Sequence, residues 1–199
     1  MQPAKFLDLQ AQLVMDKQQI VLVNESDEPI GIMKKMEAHE KGLLHRAFSV
    51  FIFDSNGKML LQQRAAEKYH GAYLWTNACC SHPLPGEDLM VAAQRRLQQE
   101  MGFTTELVEI FSFIYKAQVE NNLVEHEFDH VFTGQYEGKI LPDPHEVSGF
   151  YYERMDQVKY EIETTPGKFT AWFKIAFPQI EKWWRARYGI GGQKVKSEK

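Results

Sequence analysis

A chain of 199 residues with 44% hydrophobic content is long enough to bury the core of one domain and too short to expect two. A formal charge of -4 and a predicted pI near 6.0 leave no excess of Lys and Arg to draw nucleic acid or an anionic membrane, and they suit an enzyme acting on a small molecule. Residues 1–16 lack the basic start and long apolar run of a signal peptide, and nothing approaches membrane-spanning length; with Cys79 and Cys80 adjacent and ill-placed for an unstrained disulfide, a reducing, cytoplasmic setting is expected.

Taken in chain order, 20–23 and 30–33 are apolar runs separated by Asn24-Glu25-Ser26-Asp27-Glu28-Pro29, and this turn-rich spacer predicts a hairpin. Residues 47–53 and 58–63 flank Asp54-Ser55-Asn56-Gly57, where Asn-Gly supplies the positive φ values of a tight hairpin. Thr76-Asn77-Ala78-Cys79-Cys80-Ser81-His82-Pro83 then reads as extended chain, so that Cys80 and His82 share one face. Pro85 and Gly86 break the chain before 87–101, whose Leu89, Ala92, Ala93 and Leu97 recur at helical spacing up to Gly102. Aromatic and β-branched alternation over 111–119 and 123–136 predicts a further strand pair, with Glu125 and Glu127 on one face. Helices are expected over 153–163 and 169–187, the second interrupted at Pro178, and a polar, Gly/Lys-rich tail over 191–199 is expected to be disordered. Strands and helices intermix without repeats, which predicts an α+β fold with a mixed sheet.

A thiol, imidazoles and paired carboxylates on such segments can hold a metal ion and move a proton if the two segments meet. Bland alternatives stand beside this. Glu125, Glu127 and Asp129 also fit the wet face of an edge strand, and His39 and His45 fit ordinary surface positions. Trp172, at helical spacing within 169–177, fits a core position, and Arg64 and Lys68 fit solvated loop charges.

From Ser81 the chain runs five residues to Glu87, seven more, then Arg95-Arg96-Leu97-Gln98-Gln99-Glu100-Met101-Gly102. This resembles the Nudix signature, in which a Gly, a Glu and an Arg-Glu-aliphatic-any-Glu-Glu-any-Gly run have the same spacing. Glu87, Arg95, Leu97, Glu100 and Gly102 match, whereas Ser81, Arg96 and Gln99 replace a Gly and two metal-binding acids. Pyrophosphate hydrolysis needs several carboxylates to hold Mg²⁺ and organise water, so the scaffold is expected to persist without that chemistry.

Together with Leu44-His45-Arg46-Ala47-Phe48-Ser49, Leu74-Trp75-Thr76-Asn77, Cys80-Ser81-His82-Pro83 and Glu125-His126-Glu127, the chain resembles the type 1 isopentenyl-diphosphate delta-isomerase family from about Ile20 to Ala176. The resemblance implies a single Nudix-like domain over 1–190, with a mixed sheet sandwiched between helices, and a reversible 1,3-allylic proton shift between isopentenyl and dimethylallyl diphosphate. It further implies that His39, His45, His82, Glu125 and Glu127 bind one divalent metal and that Cys80 and Glu127 are the catalytic pair. Tyr115 and Trp172 would line the alkene pocket, Glu100 would hold Mg²⁺ on the diphosphate, and Lys35, Arg64, Lys68 and Arg96 would contact phosphate. The interval from His39 to His45 is a residue tight against the family pattern, and Cys79 beside Cys80 is a variation.

The chemistry makes sense of these types. Protonating an alkene needs a strong acid, such as a carboxyl near a divalent cation, for which Glu127 is the donor with Tyr115 assisting. The opposite face needs a base, and the Cys80 thiol becomes competent if positive charge lowers its pKa from about 8.5. An indole face is worth roughly 2 kcal/mol to a desolvated cation, which suits Trp172. Three imidazoles and two carboxylates exceed a four-coordinate structural zinc site, so Mg²⁺, Mn²⁺ or an adaptable Zn²⁺ is expected. The partner is a small-molecule diphosphate, with no nucleic acid or membrane, and the oligomeric state is left open. Two rival readings are a Nudix pyrophosphohydrolase and a non-catalytic metal or diphosphate-binding module.

Overall fold

The structure, a computed structural model, describes residues 19–189. The start of the chain and the tail expected over 191–199 therefore lie outside the described residues. Among the described residues no helix is long and apolar enough to cross a membrane.

The first hairpin forms as expected: β1 (Gln19–Val23) pairs antiparallel with β2 (Pro29–Lys34) around the Asn24 turn. A short helix that the sequence pattern did not announce, α1 (Lys35–Lys41), follows directly and ends at Gly42, whose φ of +60° only glycine adopts readily. The turn Asp54–Gly57 does reverse the chain between β3 (His45–Phe53) and β4 (Met59–Arg64), but the two strands pair only at Phe53 and Met59. They then part, because each has a better neighbour. β3 runs parallel to β8 (Val124–Gln135) from His45 opposite Glu127 to Phe53 opposite Gln135, while β4 pairs with β9 (Val147–Glu153). β9 was not legible as a strand in the sequence.

Two short strands, β5 (Trp75–Thr76) and β6 (Cys79–Ser81), pair with β4 and β3. β7 (Leu107–Gln118) covers the far edge of β8, so β8 lies between two partners and is not an edge strand. The wet-edge reading of Glu125, Glu127 and Asp129 is thereby excluded: they are 5%, 7% and 1% exposed.

Helices close both faces of this mixed sheet. Ala92, Ala93, Leu97 and Met101 of α2 (Leu89–Met101) pack on Phe48, Val50, Ile52 and Phe132. On the other face α3 (Met155–Thr164) and α4 (Ala171–Tyr188) bury Val158, Trp172, Phe173, Phe177 and Ile180 against Phe51, Phe53 and Val131. β3 is thus covered on both sides, which is why it is a nearly continuous apolar run. The interruption expected at Pro178 does not occur, and α4 continues through it. Pro178 is exposed, so the carbonyl of Lys174 that loses its donor is on the solvent side, where water can satisfy it.

The matching signature residues around α2 are largely structural. Glu87 accepts two bonds from Arg95, at 2.7 and 2.8 Å, and a third from the backbone of Leu84 at 2.8 Å, tying the loop to the helix. Gly102 has φ +75°, and a Cβ there would lie 2.1 Å from the carbonyl oxygen of Leu141. Asp88 caps the helix by accepting from the amide of Val91.

Candidate active site

The side chains that alternate along β3 and β8 on the α4 face change character partway. Along β3 they run His45, Ala47, Ser49, then Phe51 and Phe53; along β8 they run Glu125, Glu127, Asp129, then Val131. One end of the sheet is therefore polar and the other belongs to the core. Register then lines up chemistry across the strands: Tyr115 of β7 stands opposite Glu127, Glu127 opposite His45, and Ser49 opposite Cys80.

His39 arrives from α1 and His82 from the segment after β6. Ligand atoms of His39, His45, His82 and Glu127 all lie within 4.8 Å of one another. The Nδ1 atoms of His39 and His45 donate to the carbonyls of Lys35 and Leu43 at 2.7 and 2.8 Å, which fixes the tautomer and leaves each Nε2 with a lone pair. Both Nε2 atoms are buried without a hydrogen-bond partner, and both residues are fully buried, not surface histidines. Buried acceptors left unpaired are costly, and converging ones are what a divalent cation requires. The donor set fits the expected metal. The tight His39 to His45 interval is absorbed by the left-handed turn at Gly42, and the two rings lie 4.7 Å apart. Glu125 joins from one side: its Oε1 is 3.7 Å from His39 Nε2 and 2.8 Å from His70 Nε2.

Burial pulls the His39 imidazolium below its ordinary value of 6.5, against opposition from Glu125, and burial with the Lys35 charge pulls His82 well below it. In the interval beneath 6.5 the unfolded chain binds protons that the folded chain does not. The metal-free protein is therefore expected to lose stability as pH falls from about 7.5 to about 5.5. Urea unfolding midpoints at the two pH values check this, and a midpoint that rises on acidification contradicts it.

Glu127 accepts from the Tyr115 hydroxyl at 2.7 Å and meets His82 Nε2 at 3.1 Å. Burial works to raise its carboxyl, but when the His45 ring also carries a proton on Nε2 its hydrogen bond and charge, with help from Glu125 and Tyr115, outweigh burial and hold the value down at about 2. The Cys80 thiol behaves oppositely. Its Sγ donates to Asn77 Oδ1 at 3.0 Å and is 3.5 Å from Ser49 Oγ, which donates to Asp129 at 2.8 Å. Burial first and the Asp129 carboxyl second push the thiol up.

Cys80, Tyr115, Glu125, Glu127 and Trp172 line one cavity of about 70 Å³, together with His82, Lys35, Arg64, Lys68 and Arg96. Arg64 and Lys68 are not merely solvated charges, since both line the cavity. Arg64 is 9% exposed, donates to the carbonyls of His70 and Gly71 at 3.0 and 3.2 Å, and lies 5.1 Å over the Trp172 ring. Lys35 lies 4.8 Å over Tyr69. Lys68 and Arg96 share Glu146 as a counter-ion, and Arg96 also meets Glu100 at 2.5 Å. Glu100, 3% exposed, accepts from Gln62 at 3.1 Å. Trp172 belongs to the core cluster and also forms a wall of the cavity.

Sequence reasoning missed His70, Tyr69, Asn77, Ser49, Asp129 and Glu146 as members of this neighbourhood. For Ser49 and Asp129 a signal existed, since the two-residue repeat places Ser49 on the face of His45 and Asp129 on the face of Glu125 and Glu127. His70 and Glu146 stand in loops, where no periodicity marks them. His126 and His130 point away, His126 to the carbonyl of Gly42 and His130 to Asp27 and Glu109.

The NUDIX domain profile matches residues 43–173. The chain is 48% identical to the isopentenyl-diphosphate Delta-isomerase of Pectobacterium atrosepticum, over 84% of its own length and 94% of that protein. It is 44% identical to the protein of the same name from Burkholderia multivorans, over 84% and 98%. Among solved structures it is similar to DR0079 from Deinococcus radiodurans, with a TM-score of 0.67 at 17% identity, covering 81% of this chain and 98% of that one. A MutT protein from Methanosarcina mazei gives a TM-score of 0.58 at 15% identity, covering 70% and 94%. At such identities these two likenesses speak for the fold alone.

Proposed function

Because the chain belongs to the isopentenyl-diphosphate Delta-isomerases of the Nudix superfamily, we propose that it interconverts isopentenyl and dimethylallyl diphosphate, with Cys80 and Glu127 as the two proton handlers. One observation carries this reading: the thiol and the Glu127–Tyr115 pair line the same cavity, with an indole and four cations around it. A short branched alkene between them would meet an acid on one side and a base on the other, with its diphosphate held by Lys35, Arg64, Lys68 and Arg96.

The reaction needs one proton resident in the pair. With Cys80 kept protonated and Glu127 ionised, the arrangement described above is ready for the dimethylallyl direction: the thiol gives its proton to C2 of the alkene, and Glu127 takes one from a methyl group, yielding isopentenyl diphosphate. The opposite direction begins with the proton on Glu127 and a thiolate at Cys80, and retraces the same path. Tyr115, donating to Glu127, orients the carboxylate and stabilises its charge between steps. Trp172 faces the charge that develops on the tertiary carbon. An indole contributes roughly 2 kcal/mol to a desolvated cation, enough for more than tenfold in rate if it acts only at the transition state.

His39, His45, His82 and Glu127, with Glu125 beside them, would hold one divalent ion, Mg²⁺, Mn²⁺ or Zn²⁺; when bound, it supplies positive charge that strengthens neighbouring acids. Glu100 is the donor we assign to a Mg²⁺ accompanying the diphosphate. Arg96 and Gln99 stand where a hydrolase keeps carboxylates, which weighs against pyrophosphate hydrolysis.

Incubation with isopentenyl diphosphate in deuterated water is expected to give dimethylallyl diphosphate carrying deuterium at carbon, seen by NMR and mass spectrometry. Prior stripping with a chelator is expected to abolish the exchange, and adding back a divalent ion to restore it. Release of inorganic phosphate without carbon labelling would support the hydrolase instead, and intact unlabelled substrate with metal present would support a binding module.

A further inference from the structure

Among the groups around the cavity, His70 has a placement that exceeds what the proposed reaction uses. It stands on the loop between β4 and β5, is 4% exposed, and meets Glu125 Oε1 through Nε2 at 2.8 Å. That oxygen is also the one nearest His39. The other oxygen of Glu125 accepts from Tyr115 at 3.2 Å. The His70 ring meets Trp172 edge-on with centroids 5.7 Å apart, and its backbone carbonyl accepts from Arg64 at 3.0 Å. The loop itself is pinned from the β7–β8 connection, where Asn121 donates to the carbonyl of Tyr69 at 2.7 Å and Glu120 accepts from the amide of Gly71. So much anchoring for one loop histidine, ending on a carboxylate beside three converging imidazoles, fixes the direction of that carboxylate.

We propose that His70 is a positioning residue of the divalent-metal centre: its Nε2–H holds Glu125 in the orientation that lets this carboxylate join His39, His45, His82 and Glu127. The inference rests on the metal-dependent reading above and adds a residue to it. A carboxylate has several rotamers, and each unheld one takes a donor atom away from the ion. A partner that selects one rotamer raises affinity without touching the metal, and loss of such a partner costs about 10- to 100-fold.

The test measures Mn²⁺ affinity directly, by counting free Mn²⁺ with electron paramagnetic resonance on the full, metal-stripped chain. His70→Phe keeps the ring's bulk and its edge against Trp172 but has no donor; His70→Gln retains an amide N–H at comparable reach. We expect His70→Phe to bind Mn²⁺ about 10- to 100-fold more weakly, and His70→Gln to recover to within about threefold of the parent. Both should melt near the parent temperature without metal. Should His70→Phe fail to fold, His70→Met against His70→Gln gives the same contrast. Unaltered affinity in the donor-free variant overturns the proposal, as does a His70→Gln no better than His70→Phe. If the parent chain itself binds neither Mn²⁺ nor Zn²⁺, the metal reading fails as a whole, a result distinguishable from either.

Discussion

Replacing Cys80 by alanine is expected to lower kcat for isomerisation by about 10²- to 10⁴-fold in both directions, the range typical of a lost general acid or base. The sulfur is a proton donor toward dimethylallyl diphosphate and a proton acceptor from isopentenyl diphosphate, so no direction escapes the loss. Metal affinity should change little, because Cys80 lies outside the group formed by His39, His45, His82 and Glu127. Cys80→Ser is the sharper variant. It keeps the contacts to Asn77 and Ser49 but offers a much weaker acid, and it should remain nearly as impaired as alanine. Turnover by NMR in both directions, with metal content measured in parallel, checks this. A Cys80→Ala protein retaining more than about a tenth of parental activity would remove the thiol from the mechanism, and Cys79 would not rescue it: that thiol is fully buried among Ala92, Ala93 and Leu97.

Glu127→Gln is expected to be at least as severe, about 10³-fold or more, since two functions fall on one side chain. An amide neither delivers nor accepts the proton at this position, and it gives up the charge that His45 and His82 face at 3.5 and 3.1 Å. Metal affinity should therefore weaken along with turnover, which is the contrast with Cys80→Ala. Tyr115→Phe separates the parts: it removes the 2.7 Å hydrogen bond to Glu127 while leaving all four clustered donors in place, so a milder loss with metal retained is expected. Saturating metal restores none of the activity of Glu127→Gln if the carboxylate is the proton handler. Recovery above about a tenth of parental turnover would reduce Glu127 to a ligand only.

Much of this site was legible in the chain because strand periodicity is local. Alternation in 123–136 put Glu125 and Glu127 on one face before any pairing was known, and Cys80 and His82 likewise. The α2 region carried its own boundaries in Pro85, Gly86 and Gly102, and Arg96 and Gln99 in place of two acids set it apart from the hydrolase signature. The order of His45, Ala47 and Ser49 before Phe51 and Phe53 encoded a strand with a polar end and a core end.

Other features depend on partners remote in sequence. The parallel pairing that sets His45 beside Glu127 joins strands far apart in the chain, whereas the Asp54–Gly57 turn predicts a full hairpin and only its mouth is paired. His39 and His70 come from a seven-residue helix and a loop, neither of which is long or regular enough to announce where a side chain is aimed. The surroundings of Cys80 were not legible for the same reason: a thiol's acidity depends on what is packed around it, and here burial, then the Asp129 carboxyl, pushes it up. The chain by itself specified which donors exist and which of them share a strand face, because those follow from residue type and a two-residue repeat. Only the tertiary structure decided which faces meet, which carboxylate lies against which imidazole, and how deeply each is buried, because each is set by distances and desolvation that arise once separate elements pack together.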